Sequence, residues 1–184
     1  MTAFRTKVYL LAWLLPSVFF HACFVQAEEM MGKNLAIITR PLVVLSHRAT
    51  GELRTVIIYA PEHDACRRAA EAIAPLLAGR VSEGRVRLIA NARVLIPASN
   101  LSVLENKDVA FVTGSLGPWH APIAEASVRR RIVSVTNDLS CVTSGNCIMG
   151  VRSEPRVRVI INRKLADRSS IDFTPGFRLL FTEL

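Results

Sequence analysis

The residues best suited to contact a ligand lie in one turn, residues 113–120 (TGSLGPWH), between a predicted strand and a predicted helix. Open α/β sheets bind ligands at such turns, outside the carboxyl ends of their strands. The glycine spacing does not match a phosphate-binding loop, and no Lys-Ser or Lys-Thr pair follows it. Two interpretations stay open: a ligand or partner site, and an ordinary turn with a helix-start histidine and a packed tryptophan. The site interpretation uses Gly114, Ser115, Gly117, Trp119 and His120.

Three residues of reactive type, His63, Asp64 and Cys66, are close together in the sequence. Catalytic partners usually converge from separate parts of a chain, whereas these three belong to one predicted helix start. The chain has 4 histidines, too few for a convincing zinc site once the one in the N-terminal segment is set aside. Acidic residues are scattered over predicted turns and helix surfaces. The sequence therefore predicts a protein without a catalytic centre, a metal or another cofactor.

The first residues, 1–27, have the three-part layout of a secretory signal peptide. Arg5 and Lys7 form a basic start, residues 8–25 are almost wholly apolar, and small residues precede a potential cleavage site after residue 27. The alternative is an uncleaved anchor, since about 18 apolar residues is the lower limit for spanning a bilayer. The sequence predicts export to the periplasm and a mature domain of residues 28–184.

The charge of the predicted mature chain limits the classes of partner. Without residues 1–27 the chain has 21 Lys and Arg against 15 Asp and Glu, a net charge of +6. A basic surface can attract nucleic acid, but an exported protein rarely meets any, so we expect no nucleic-acid partner. Anionic lipid head groups, cell-wall polymers and an acidic protein face remain as candidates. A charge that serves only solubility is the alternative.

Cysteine usage fits an exported protein. Cys23 leaves with the predicted signal peptide, and Cys141 and Cys147 enclose a turn-forming segment, VTSGN, between two segments predicted to be extended. Such a spacing brings two Cα atoms within bridging range across a hairpin. In an oxidising compartment we expect a Cys141–Cys147 disulfide, which would contribute roughly 2 kcal/mol through loop closure. Cys66 is left over, and we expect it to be a buried free thiol.

Strand and helix patterns alternate through residue 136, which predicts a single α/β domain with a mostly parallel sheet flanked by helices. Continuous apolar runs such as VIIY and VAFV are typical of strands covered on both faces. The predicted strands are residues 53–59, 85–95, 109–113, 132–136, 148–152 and 156–162, and the last two form a C-terminal antiparallel hairpin. The predicted helices are residues 61–79, 101–106, 121–130, 164–170 and 174–182, after an opening segment, residues 34–47, that is kinked or broken at Pro41. A turn is predicted at residues 82–84.

Four segments near the C-terminus carry a family resemblance. They are residues 132–135 (IVSV), 148–151 (IMGV), 157–162 (VRVIIN) and 177–180 (FRLL). With the early strand RTVIIYAP and the helix after it, their order resembles the YfiR/HmsC-like family of periplasmic regulatory proteins. The resemblance covers roughly residues 53–184.

The resemblance implies a regulatory binding protein rather than an enzyme. Members of the family bind the periplasmic part of a membrane-bound diguanylate cyclase and hold it inactive, which lowers cyclic-di-GMP output. Some members have a disulfide at the place of Cys141 and Cys147, and this feature carries over to that pair. The partner it implies is an inner-membrane diguanylate cyclase or sensor kinase, and a homodimer is a further possibility. The alternative is a periplasmic small-ligand-binding protein that uses residues 114–120.

Overall fold

A computed structural model describes most of the chain after residue 50. The described residues are 51–60, 62–64, 67–68, 70–71, 74–75, 81–83, 86–114, 116–152, 156–173, 175 and 181–184. The predictions for the signal peptide, for residues 34–47, for Cys66 and for Ser115 lie outside the described residues.

One mixed sheet of eight strands organises the described part of the chain. The strands are β1 (Gly51–Tyr59), β2 (Val81–Glu83), β3 (Val86–Pro97), β4 (Val109–Val112), β5 (Val133–Thr136), β6 (Met149–Arg152), β7 (Arg158–Ile161) and β8 (Thr182–Glu183). Their order across the sheet is β2-β3-β1-β4-β5-β6-β7-β8. The five strands from β3 to β6 pair in parallel, β2 and β7 pair antiparallel with their neighbours β3 and β6, and β8 is parallel to β7. The predicted α/β domain with a mostly parallel sheet and a late antiparallel pair is confirmed.

Three α-helices and two short 3-10 helices connect these strands within the residues that the structure describes. The α-helices are α1 (His120–Arg130), α2 (Leu139–Thr143) and α3 (Arg163–Arg168), and the 3-10 helices are Leu101–Leu104 and Gly117–Trp119. Helical backbone also occurs between β1 and β2, at residues 64, 67–68, 70–71 and 74–75. Helix α1 ends where Arg131 adopts the left-handed conformation, with φ of 55°, as a C-terminal cap.

The sheet buries apolar side chains on both of its faces, as its continuous apolar strands predict. All four residues of β4 and all four of β5 are buried. Alternate residues of the strands enter two separate clusters. The first contains Ile57, Phe111, Val135, Met149 and Leu165, and the second contains Ile58, Val112, Ile123, Cys141 and Cys147.

Three predictions of local structure are wrong. The segment around Cys141 is a helix, α2, rather than one arm of a hairpin, because Asp138 caps its first turn. Ser82 and Glu83 belong to strand β2, whose residues pair with β3 instead of forming a turn. Thr182 lies in strand β8, where backbone pairing to Ile160 overrides the helix predicted for the end of the chain.

Candidate functional site

The carboxyl ends of the parallel strands bring together four polar side chains from separate loops. Glu62 follows β1, Trp119 and His120 follow β4, and Asp138 follows β5. We call these four residues the carboxyl-edge cluster. In the sheet, β1 and β4 are neighbours, β3 lies on the far side of β1, and β5 lies on the far side of β4. After β1 and after β4 the chain therefore continues in opposite directions across the sheet. Such a switch point is the usual ligand position in open α/β sheets.

Trp119 joins the two loops at this switch point. Its indole Nε1 donates a hydrogen bond to Glu62 Oε1 at 3.4 Å, and its backbone N–H donates to the Leu116 carbonyl at 2.6 Å. The ring is partly buried against the second apolar cluster. The loop begins with Thr113, whose N–H and hydroxyl both donate to the Ile58 carbonyl, at 3.1 and 3.0 Å. These bonds hold the turn after β4 against the end of β1.

His120, the first residue of α1, is 8% exposed, and its Nε2 atom is buried without a hydrogen-bond partner among the described residues. Asp138 Oδ2 is 3.8 Å from Nε2, a distance too long for a hydrogen bond. A buried polar atom without a partner costs about 1–3 kcal/mol. The Nε2 atom can therefore accept one hydrogen bond from a group that enters the cluster, or donate one to it.

The two carboxylate oxygens of Asp138 have different contacts. Oδ1 accepts two hydrogen bonds from Ser140, one from its backbone N–H at 2.9 Å and one from its hydroxyl. Through the first of these bonds Asp138 caps helix α2. Oδ2 is the oxygen nearest to His120. The Asp138 N–H donates to Thr136 Oγ1 at 3.0 Å, which fixes the cap to the end of β5. Sequence reasoning placed Asp138 among scattered surface acids, although an aspartate before a short apolar segment is a helix-start signal.

The other predicted residues of the turn lie at different depths. A Cβ on Gly114 would lie 3.7 Å from Asn137 Oδ1, and a Cβ on Gly117 would have no atom within 4 Å. Packing therefore requires a glycine at neither position. The structure brings Trp119 and His120 into the cluster and leaves Gly117 exposed. Of the alternative trio, His63 and Asp64 are exposed, and Asp64 forms an ion pair with Arg67 at 3.3 Å, whereas Cys66 lies outside the described residues.

The predicted Cys141–Cys147 disulfide is confirmed, with Cα atoms 5.2 Å apart and both residues fully buried. It lies inside the crossover between the parallel strands β5 and β6 rather than across a hairpin. The N–H groups of Asn146 and Cys147 both donate to the Cys141 carbonyl, at 2.8 and 3.0 Å. Gly145 has φ of 82°, a conformation that favours glycine, and turns the chain back after α2. The sulfur bridge and this turn form one compact unit.

Helix α2 rests directly on β6 and is tied to α3. A Cβ on Gly150 would lie 2.8 Å from side-chain atoms of Leu139 and Val142, so only glycine allows this approach. The Asn162 side chain donates from Nδ2 to the Val142 carbonyl at 3.0 Å, and its Oδ1 accepts from the Leu165 N–H at 2.8 Å. One asparagine thus caps α3 and satisfies a carbonyl of α2.

Among the described residues, no three His, Cys, Asp or Glu side chains are placed to hold a metal ion together. None of the helices in the same part of the chain has the length and apolar character needed to span a bilayer.

Comparisons with known proteins identify the fold and no family. Neither a family model nor a curated protein matches the chain. A conserved domain protein from Vibrio cholerae is similar in structure, with a TM-score of 0.57, 13% identity and coverage of 85% of this chain and 59% of that chain. The ABC domain from Streptococcus pneumonia, solved with L-Trp, has a TM-score of 0.52, 12% identity and coverage of 86% and 60%. This chain spans about three fifths of both structures, and the similarity extends to the α/β fold alone.

Proposed function

We propose that this protein is an exported regulatory binding protein that docks on a membrane-bound signalling protein and represses it. A diguanylate cyclase, or else a sensor kinase, is the proposed partner. The observation that carries the proposal is the buried Cys141–Cys147 disulfide, because disulfides persist in oxidising compartments such as the periplasm. The bridge also lies within residues 132–162, which carry most of the resemblance to the YfiR/HmsC-like family. Repression needs a stable fold with differential affinity for one state of the partner.

The short helix α2 is the proposed docking element. Ser140, Thr143 and Ser144 are exposed on it and just after it, while Cys141 and Val142 are buried beneath. The disulfide and the close contact at Gly150 hold the helix backbone that carries these side chains in place. A surface that is already ordered loses less conformational entropy when it binds, which increases affinity without new contacts.

A photo-crosslinking experiment in living cells tests this proposal. A photoreactive amino acid at Thr143 should capture a membrane-bound cyclase or kinase, and the same group at Glu125, exposed on α1, serves as the matched control. Cells that lack the protein should contain more cyclic-di-GMP than complemented cells. If neither position captures a membrane protein in mild detergent and cyclic-di-GMP stays constant, the proposal is wrong.

A second candidate function, the binding of a small ligand, is favoured by one observation. His120 Nε2 is buried without a hydrogen-bond partner among the described residues, beside Asp138 and at the position where α/β sheets hold ligands. The structurally similar ABC domain was solved with L-Trp, which makes L-tryptophan a reasonable first probe. A ligand at 100 times its dissociation constant stabilises a protein by about 2.7 kcal/mol.

A thermal-shift screen with L-tryptophan and a panel of metabolites tests the second candidate. A ligand of the carboxyl-edge cluster should raise the melting temperature of the parent protein and of a His63→Ala variant, because His63 is exposed outside the cluster. The shift should disappear in His120→Ala. An equal shift in His120→Ala would place the ligand elsewhere, and no shift with any metabolite would count against a ligand site.

A further inference from the structure

The β6–β7 pair ends in a group of exposed arginines. Arg152 and Arg158 are directly opposite each other in the antiparallel pair, and both are exposed. Side chains in such positions start from Cβ atoms about 5 Å apart, and like charges there are destabilising. Arg156, also exposed, adds a third positive charge. We call Arg152, Arg156, Val157 and Arg158 the hairpin tip.

No acidic residue that the structure describes forms an ion pair with the arginines of the hairpin tip. Among the described residues none of its three arginines forms an ion pair, whereas Arg129 pairs with Glu125 at 3.5 Å and Arg163 with Asp167 at 2.9 Å. Glu154 lies outside the described residues, and it is the single acidic residue in the sequence between 152 and 158. The tip therefore presents an excess of positive charge that is available to an anion.

The apolar character of the tip indicates the class of that anion. Val157, between two arginines, is 55% exposed, and the other large hydrophobic residue so exposed in the described part of the chain is Leu184. Four residues at the end of a strand pair supply only a small part of the surface, on the order of 1,000 Å², that a specific protein interface buries. A lipid surface requires only cations for its phosphates and a small apolar group that enters the head-group region.

We propose that the hairpin tip binds the surface of a membrane that contains anionic phospholipids. Arg152 and Arg158 contact head-group phosphates as a pair, Arg156 adds a third contact, and Val157 enters the interface between them. This attachment is separate from the docking proposed for α2. It raises the local concentration of the protein at the bilayer, whichever partner the protein has.

Binding to lipid vesicles tests the proposal. The protein is purified from cells that express the full chain, and mass spectrometry determines its N-terminus. Binding to vesicles of phosphatidylcholine with phosphatidylglycerol should exceed binding to phosphatidylcholine alone, and salt should weaken it. Arg152→Thr with Arg158→Thr should lower binding about 25-fold, since each basic residue near an anionic surface contributes about five-fold. The pair of threonines should not impair folding, because it removes a like-charge contact from a strand pair.

A second variant with the same loss of charge provides the control. Lys164→Ala with Arg168→Ala removes two exposed cations from α3 and should change binding by about twofold or less. In addition, Val157→Trp should show a blue shift of its emission with the anionic vesicles only. Equal losses in both double variants, or equal binding to the two vesicle types, would overturn the proposal. Binding to poly-L-glutamate without binding to vesicles would assign the tip to an acidic protein and overturn it as well.

Discussion

The two crossovers on either side of β5 build the same parallel arrangement by different means. Residues 113–132 join β4 to β5 and contain α1, a helix of 11 residues. Residues 137–148 join β5 to β6 and contain α2, a helix of 5 residues. About a dozen residues is the shortest connection that returns a chain to a parallel neighbour, so the second crossover is near the minimum.

The difference shows where this fold depends on specific contacts. Helix α1 has no side-chain hydrogen bond at its N-terminal cap and is held by the apolar side chains that it buries. Helix α2 is too short to be stable by itself, because helix nucleation is unfavourable and short helices gain few hydrogen bonds. It relies on Asp138, on the disulfide, on Gly150 and on Asn162. Substitutions in the second crossover should therefore have the larger effects.

The largest effect is expected from removal of the disulfide. Cys141→Ser with Cys147→Ser should lower the free energy of unfolding by about 2–5 kcal/mol, because the bridge restricts the unfolded chain and its sulfurs fill the core. Denaturant unfolding measures the change. A reductant should destabilise the parent protein by about 2 kcal/mol, the loop-closure part of this loss, and leave the double variant unchanged. Equal stability of parent and variant would mean that the short crossover holds without its bridge.

A methyl group at Gly150 should have the next largest effect. Gly150→Ala places a Cβ at 2.8 Å from Leu139 and Val142, so α2 must shift away from β6 at a cost of about 1–3 kcal/mol. Gly117→Ala is the matched control, since its added Cβ meets no atom within 4 Å. Thermal unfolding of the two variants checks the prediction. Similar melting temperatures would show that α2 does not rest closely on β6.

A smaller loss is expected from Asn162→Ala, which removes both the cap of α3 and the bond to the Val142 carbonyl. Together these changes should cost about 1–2 kcal/mol. Asn100→Ala is the control, because Asn100 precedes a 3-10 helix but makes no side-chain cap bond to it. Urea unfolding of both variants gives the comparison. A larger loss for Asn100→Ala than for Asn162→Ala would contradict it.

The smallest effects separate the two roles of Asp138. Asp138→Ala should lower the free energy of unfolding by about 1 kcal/mol, because it removes the cap of α2. Asp138→Asn keeps a capping oxygen and should lower it by about 0.3 kcal/mol. Calorimetry of both variants measures the difference. A large loss in Asp138→Asn would instead assign the stabilisation to the charge beside His120.

Much of the sheet could be predicted because its strands are continuous apolar runs. VAFV is such a run, is buried on both faces and indicates a central strand without help from tertiary structure, whereas VSVT is equally buried although its apolar residues alternate with Ser134 and Thr136. Strands β2 and β8, with three and two residues, were missed because pairing with longer neighbours, not their own sequence, makes them strands.

The candidate site could be predicted only in part. The turn after β4 could be located from Gly114 to His120, because glycines and a helix start follow an apolar strand. Asp138 lies beside His120, and Glu62 beside Trp119, because of the order of strands in the sheet. The periodicity of the sequence does not give this order. Helix α2 is not evident from the sequence, because residues of the Val-Thr-Ser-Gly type favour turns and strands and Asp138 is its single start signal.

The most direct test of the central claim measures the location of the protein and the state of its thiols in living cells. Cells are quenched in acid, free thiols are alkylated, and the fractions are analysed by mass spectrometry. We expect a chain that begins after residue 27, in the periplasmic fraction, with Cys141 and Cys147 protected from alkylation. A full-length chain in the cytosol, with both of these cysteines alkylated, would contradict it.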